Sequence, residues 1–208
     1  MLSVGLLSQT VVQVVAQFKA ILPLLLRWFS ILVGIHLLNT LLGGRLCVLG
    51  IVPRTWHGLV GVLWAPWLHI NFEHLISNCI ILFALSSMVA LSGQAVLVWV
   101  LMCGLLLGGF LTWCFGRSAV HVGASGVVMA CWGFLLCTAY HSPGLISVSV
   151  ACVGLYYFGG LVLHVLPMGR HDSWEGHLFG FLAGVFAGQW PVVALPPPIQ
   201  DFIFSISS

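Results

Sequence analysis

The sequence predicts an all-α polytopic membrane protein: a bundle of six transmembrane helices with a long interfacial loop between helices 1 and 2. Three observations lead there. Of 208 residues, 61% are apolar and 5% are charged, whereas soluble domains carry roughly a quarter charged. Stretches free of Asp, Glu, Lys and Arg run over 74–116, 118–169 and 176–200, or 43, 52 and 25 residues, against the roughly 20 needed to cross a bilayer. Trp56, Trp64 and Trp67 crowd into one segment, as expected of amphipathic rings that settle at headgroup level. The same figures exclude a soluble domain, a disordered tail and a nucleic-acid binder with a basic surface, since the net charge is only +2 and scattered.

Residues 1–19 form an N-terminal interfacial segment. They lack the basic start of a signal peptide, and Ser8, Gln9, Gln13 and Gln17 recur at helical spacing among valines, a polar stripe on a helix lying in the membrane interface. The first span runs over about 20–43, from Lys19 and Pro23 to Gly43–Gly44. Residues 45–71 read as the long loop, because Arg45, Pro53, Arg54, Gly58 and Pro66 interrupt any long helix. Five further spans fall at about 72–92, 95–115, 123–141, 145–166 and 174–194. Pro196, Pro197 and Pro198 stop the last of them, so 20–195 is the core and 196–208 a tail. Both termini then lie on one side. Arg45, Arg54, Arg117 and Arg170 fall on the other side, which by the positive-inside rule puts the termini outside. Cys47, Cys79, Cys103, Cys114, Cys131, Cys137 and Cys152 contain no Cys-x-x-Cys pair and read as small apolar packing residues.

In a bilayer the informative residues are the polar ones, each of which must face protein or a wet cavity. His74 and Asn78 lie four apart on one face of the second span, after His69 and behind Asn71, a candidate N-cap, with Glu73 in the first turn. They are either a polar helix start making interhelical hydrogen bonds or donors aimed into a cavity. Gly123-Ala124-Ser125-Gly126 opens the fourth span, where unpaired N–H groups and the helix dipole favour negative charge. It is otherwise a small-residue packing seam. Gly176-His177-Leu178-Phe179-Gly180, continuing to Gly184 and Gly188, makes one smooth stripe with His177 at its edge. That histidine is a structural residue or, opposite a serine framed by glycines, a base. Together these supply a nucleophile, a base and oxyanion donors, the parts of acyl transfer. Glu73, Asp172, Glu175 and Asp201 are the acids, all near helix ends or in loops, so a Ser–His dyad is the serine chemistry available.

In these residues the sequence resembles the rhomboid family of intramembrane serine proteases, over roughly 20–195. The likeness rests on His69-x4-His74-x3-Asn78, Gly123-x-Ser125-Gly126-x3-Ala130-x2-Gly133 and Gly176-His177-x2-Gly180-x3-Gly184, in that order. It implies Ser125 as nucleophile and His177 as general base, with His74, Asn78 and the Ser125 N–H forming the oxyanion hole. His69, Gly123, Gly126, Met129 and Gly180 are structural or water-organising positions. The reaction implied is hydrolysis of a peptide bond in or beside a transmembrane segment of a single-pass or multi-pass membrane protein, after a small residue. Neither metal nor organic cofactor is expected, and no nucleic-acid partner. The lipid bilayer of the cell membrane, plasma or inner, is the expected location. Two departures stand out. Met129 replaces the aromatic ring that many members stack on the histidine, and the loop lacks their Trp-Arg pair. The family topology places both termini in the cytoplasm, against the arginine distribution, and is preferred because it puts all three motifs on one side. Rival readings are a catalytically inactive relative that binds membrane helices, and a small transporter or haem protein using His74 and His177 as axial ligands.

Overall fold

The structure is a computed structural model that describes residues 4–160 and 173–207. Nine helices cover most of the described residues: α1 (Val4–Leu41), α2 (Trp56–Trp64), α3 (Phe72–Ala90), α4 (Gln94–Met102), α5 (Gly109–Phe115), α6 (Ser125–His141), α7 (Leu145–Phe158), α8 (Trp174–Gln189) and α9 (Pro197–Ser207). A π turn over Cys103–Gly108 joins α4 to α5, making one rod from Gln94 to Phe115. Three helical stretches are long and apolar enough to cross a membrane: Val14–Leu41, Phe72–Ala90 and Gln94–Phe115. Ser125–His141 and Leu145–Phe158 are apolar but shorter.

Several elements differ from the sequence expectation. The first helix begins at Val4, passing through Pro23, so the polar stripe and the first span form one rod. It stops at Gly43 and Gly44, whose φ of 67° and 81° only glycine adopts easily. The loop is not free of helix. Thr55 caps α2 by accepting the Gly58 N–H at 3.2 Å, and Pro53 and Pro66 bracket this helix rather than break it. The sixth expected helix ends at Gln189, before Pro191, and Pro197 and Pro198, preceded by Pro196, begin α9 instead of stopping α8. The expected end of the fifth span at 166 lies outside the described residues.

α6 is the centre. Val127 through Leu135 are all buried, as a helix must be when it is apolar on every side. Around it pack Leu82, Leu85 and Val89 of α3, Leu97 and Val100 of α4, Ala183 and Ala187 of α8, and Ile21 and Leu25 of α1. Cys103, Cys131 and Cys137 are buried in these interfaces. The outward faces are apolar too: Leu37, Ile80, Phe110 and Tyr156 are exposed, a pattern suited to lipid rather than water. α9 lies against α4, with Ile203 buried on Val98 and Val192.

Candidate active site

The site lies where the first turns of α3, α6 and α8 meet. Each is placed by local chemistry. Asn71 caps α3, its Oδ1 accepting the His74 N–H at 2.8 Å, which fixes where His74 and Asn78 leave the helix. Ser125 is the first residue of α6. The turn before it needs Gly123, whose φ is 117°, a backbone that an L side chain enters only with strain. Its N–H donates to the Ala65 carbonyl at 2.8 Å.

Gly123 also lacks a side chain because the space is occupied. A Cβ there would stand 2.9 Å from His74 Nε2 and 3.7 Å from Asn78 Nδ2. The two polar groups of α3 therefore converge on the backbone that leads into Ser125. Asn78 is buried, and its Nδ2 has no hydrogen-bond partner among the described residues. A buried donor left unpaired costs free energy, so an acceptor entering here gains a bond without breaking one. His69 completes the cluster. It is fully buried, its ring lies 5.1 Å from that of His74, and its Nε2 accepts the Ala124 N–H at 3.4 Å. Burial, and then the neighbouring His74 and His36, push its pKa down to about 3, with the Trp67 backbone opposing. His69 is thus a neutral acceptor at ordinary pH.

α8 meets α6 backbone to backbone. A Cβ on Gly180 would fall onto the Gly126 carbonyl, one on Gly184 onto the Ala130 carbonyl, and one on Gly133 onto the Phe181 carbonyl. Gly126 faces the Gly176 carbonyl, 3.3 Å from where its Cβ would be. This register puts Ser125–Gly126 beside Gly176, the residue before the half-buried His177. Met129, one turn on, is wholly buried in the central core. A cavity of about 40 Å3 touches Ser125, Gly126 and Gly176 and is walled by Gly104, Gly108 and Gly109.

The same cavity is lined by two residues that sequence reasoning passed over, His121 and Ser173. His121 Nδ1 and Ser173 Oγ are 2.6 Å apart, and His121 Nε2 lies 3.1 Å from the Arg117 carbonyl. Glu175, read from sequence only as an acid near a helix end, is buried. Its Oε1 lies 3.6 Å from Arg117 Nε and accepts the Arg117 N–H at 3.3 Å. The available signal was positional: His121 and Ser173 each stand four residues before a member of the expected dyad.

Comparison with known proteins adds the lineage. The Rhomboid domain family matches residues 54–192, a stretch containing all three motifs. Uncharacterized proteins of Mycobacterium tuberculosis and Mycobacterium bovis are 36% identical over 172 residues, covering 78% of this chain and 72% of theirs. An uncharacterized protein of Mycobacterium leprae is 35% identical over 138 residues, 62% of this chain and 55% of its own. No solved structure matches.

Proposed function

The chain belongs to the rhomboid family, and from that premise we propose that it is an intramembrane serine endopeptidase of the cell membrane, plasma or inner, acting through Ser125 and His177. Its substrates are membrane proteins cut in or beside a transmembrane segment. The observation that carries this reading is the unpaired, buried amide of Asn78, set with His74 around the backbone that enters Ser125.

The chemistry follows from the parts. Ser125 Oγ attacks the scissile carbonyl carbon as His177 takes its proton. The carbonyl oxygen becomes an oxyanion beside the start of α6, where the Ser125 N–H, the Asn78 amide and His74 Nε2–H donate to it. Collapse of that intermediate expels the amine, protonated by His177, and leaves an acyl-serine. Water, deprotonated by His177, then attacks the ester and frees Ser125. The small glycine-walled cavity has room for a methyl-sized side chain, which supports cleavage after a small residue. The seam of Gly126, Gly180 and Gly184 holds the two reacting helices at backbone distance, as proximity catalysis requires.

Ser125→Ala tests the assignment. The full chain in vesicles is incubated with a fluorophosphonate and, separately, with a model single-pass substrate carrying Ala-Gly near its membrane boundary. Wild type is expected to label and cleave, and Ser125→Ala to do neither while inserting normally. Cleavage that persists in Ser125→Ala overturns the nucleophile. A wild type that neither labels nor cleaves, yet retains a membrane helix on affinity capture, establishes the inactive helix binder instead.

A further inference from the structure

We propose that His121 and Ser173, backed by the Arg117–Glu175 pair, are positioning residues that tie the loop before α6 to the first turn of α8 and so set His177 against Ser125; this rests on the protease reading above. The tie is short at both ends. Ser173 stands four residues before His177, and its carbonyl accepts the His177 N–H at 3.1 Å. His121 stands four residues before Ser125. The bond between them therefore links segments four residues ahead of each member of the dyad.

Its polarity is fixed. A carbonyl oxygen only accepts, so His121 Nε2 carries the hydrogen it gives to the Arg117 carbonyl. Burial lowers the His121 pKa and favours the neutral ring, in which Nδ1 is then the acceptor and the Ser173 hydroxyl the donor. His121 is itself held from behind: its N–H donates to the Ile51 carbonyl at 2.8 Å, and its carbonyl accepts the Ile51 N–H at 3.0 Å. The histidine thus has a rigid mount, and Ser173 is the member that α8 brings to it. The Arg117–Glu175 contact joins the same two segments a second time. The glycine seam, flanked by Ala183 and by Phe181 against Trp132, holds α8 on α6 farther along the helix; the tie acts at the end of α8 from which His177 projects.

The experiment is a double-mutant cycle on the full chain in vesicles, using Ser173→Ala, His121→Ala and both together. It reads the fluorophosphonate labelling rate and the kcat and KM for the Ala-Gly substrate, beside thermal stability. Each single change is expected to lower kcat and labelling about tenfold, with KM held within about twofold, because a misplaced base slows chemistry rather than binding. The double variant is expected to match either single, since one bond is lost in all three. Ser173→Thr, which keeps the hydroxyl, is expected to retain wild-type kcat. An active wild type whose singles keep full kcat, or whose losses multiply in the double or fall only on KM, overturns the tie and leaves the protease reading standing. A wild type that neither labels nor cleaves overturns both.

Discussion

Gly184 in α8 and Gly154 in α7 are the same residue in two apolar helices, and they answer opposite demands. A methyl on Gly184 would land on the Ala130 carbonyl; around Gly154 a methyl would meet no atom of the described residues within 4 Å. Gly34 in α1, which is exposed, likewise has no described atom within that distance. A small residue in an apolar helix is therefore no sign of a seam in itself. The closed seam is the one whose end holds Ser125, and its tightness is that of two backbones with no side chain to yield. The contact of α3 with the start of α6 is of another kind. There side chains reach across, and one donor waits unpaired. The two interfaces divide the labour: α6–α8 sets distance, and α3–α6 supplies polar groups.

The largest expected effect breaks the first interface. Gly184→Ala forces α8 off α6, since a backbone carbonyl cannot be displaced by a rotamer change, and overpacking of this kind costs about 3 kcal/mol or more. Stability and Ser125 labelling are expected to fall together, measured by thermal unfolding in vesicles and by fluorophosphonate uptake. A Gly184→Ala protein with wild-type stability would show that the seam is not closed. Asn78→Leu is expected to separate those two readouts. It removes a buried donor that is unpaired in the resting protein, so stability stays level or rises. The cleavage rate is expected to drop by about 10²- to 10³-fold, as for loss of one oxyanion donor. Loss of stability with unchanged rate would make Asn78 a structural residue.

A smaller, pH-linked effect falls on His69. Its folded pKa of about 3 lies below the ordinary 6.5, so the unfolded chain binds the proton more readily. The stability this histidine contributes is whole above pH 6.5 and declines as pH falls toward 3. Protonation would also remove the lone pair that accepts the Ala124 N–H. Unfolding followed from pH 7 to 4 is expected to show a decline that is shallower in His69→Gln. Equal slopes in the two proteins would place the acid sensitivity elsewhere.

What the sequence made legible follows from local physics. The start of α3 at Phe72 and its Asn71 cap were readable because a cap and an apolar run are short-range signals. So was the opening of α6 at Ser125, where glycines crowd one turn. α2 is harder to read because it lies between Pro53 and Pro66, residues that ordinarily interrupt helices; Thr55 and the apolar run after it are the signal that marks it. The tie of His121 to Ser173 spans 52 residues, and no periodicity within one segment reports a contact of that separation. In the sequence Glu175 is a helix-end acid of a kind that usually meets water; in the fold it is buried against Arg117.

The smallest expected effect returns to the open glycine. At Gly154 the added methyl has room, and alanine is the better helix former by about 1 kcal/mol, partly through a less flexible unfolded chain. Gly154→Ala should therefore raise thermal stability slightly and leave labelling and cleavage unchanged. It is also the control for Gly184→Ala, since both add one methyl to an apolar helix and differ only in what that methyl meets. If the two substitutions cost the same, the distinction between a sealed interface and one with room for a methyl fails. If only Gly184→Ala is costly, the geometry at the α6–α8 contact, and not glycine content, holds the site together.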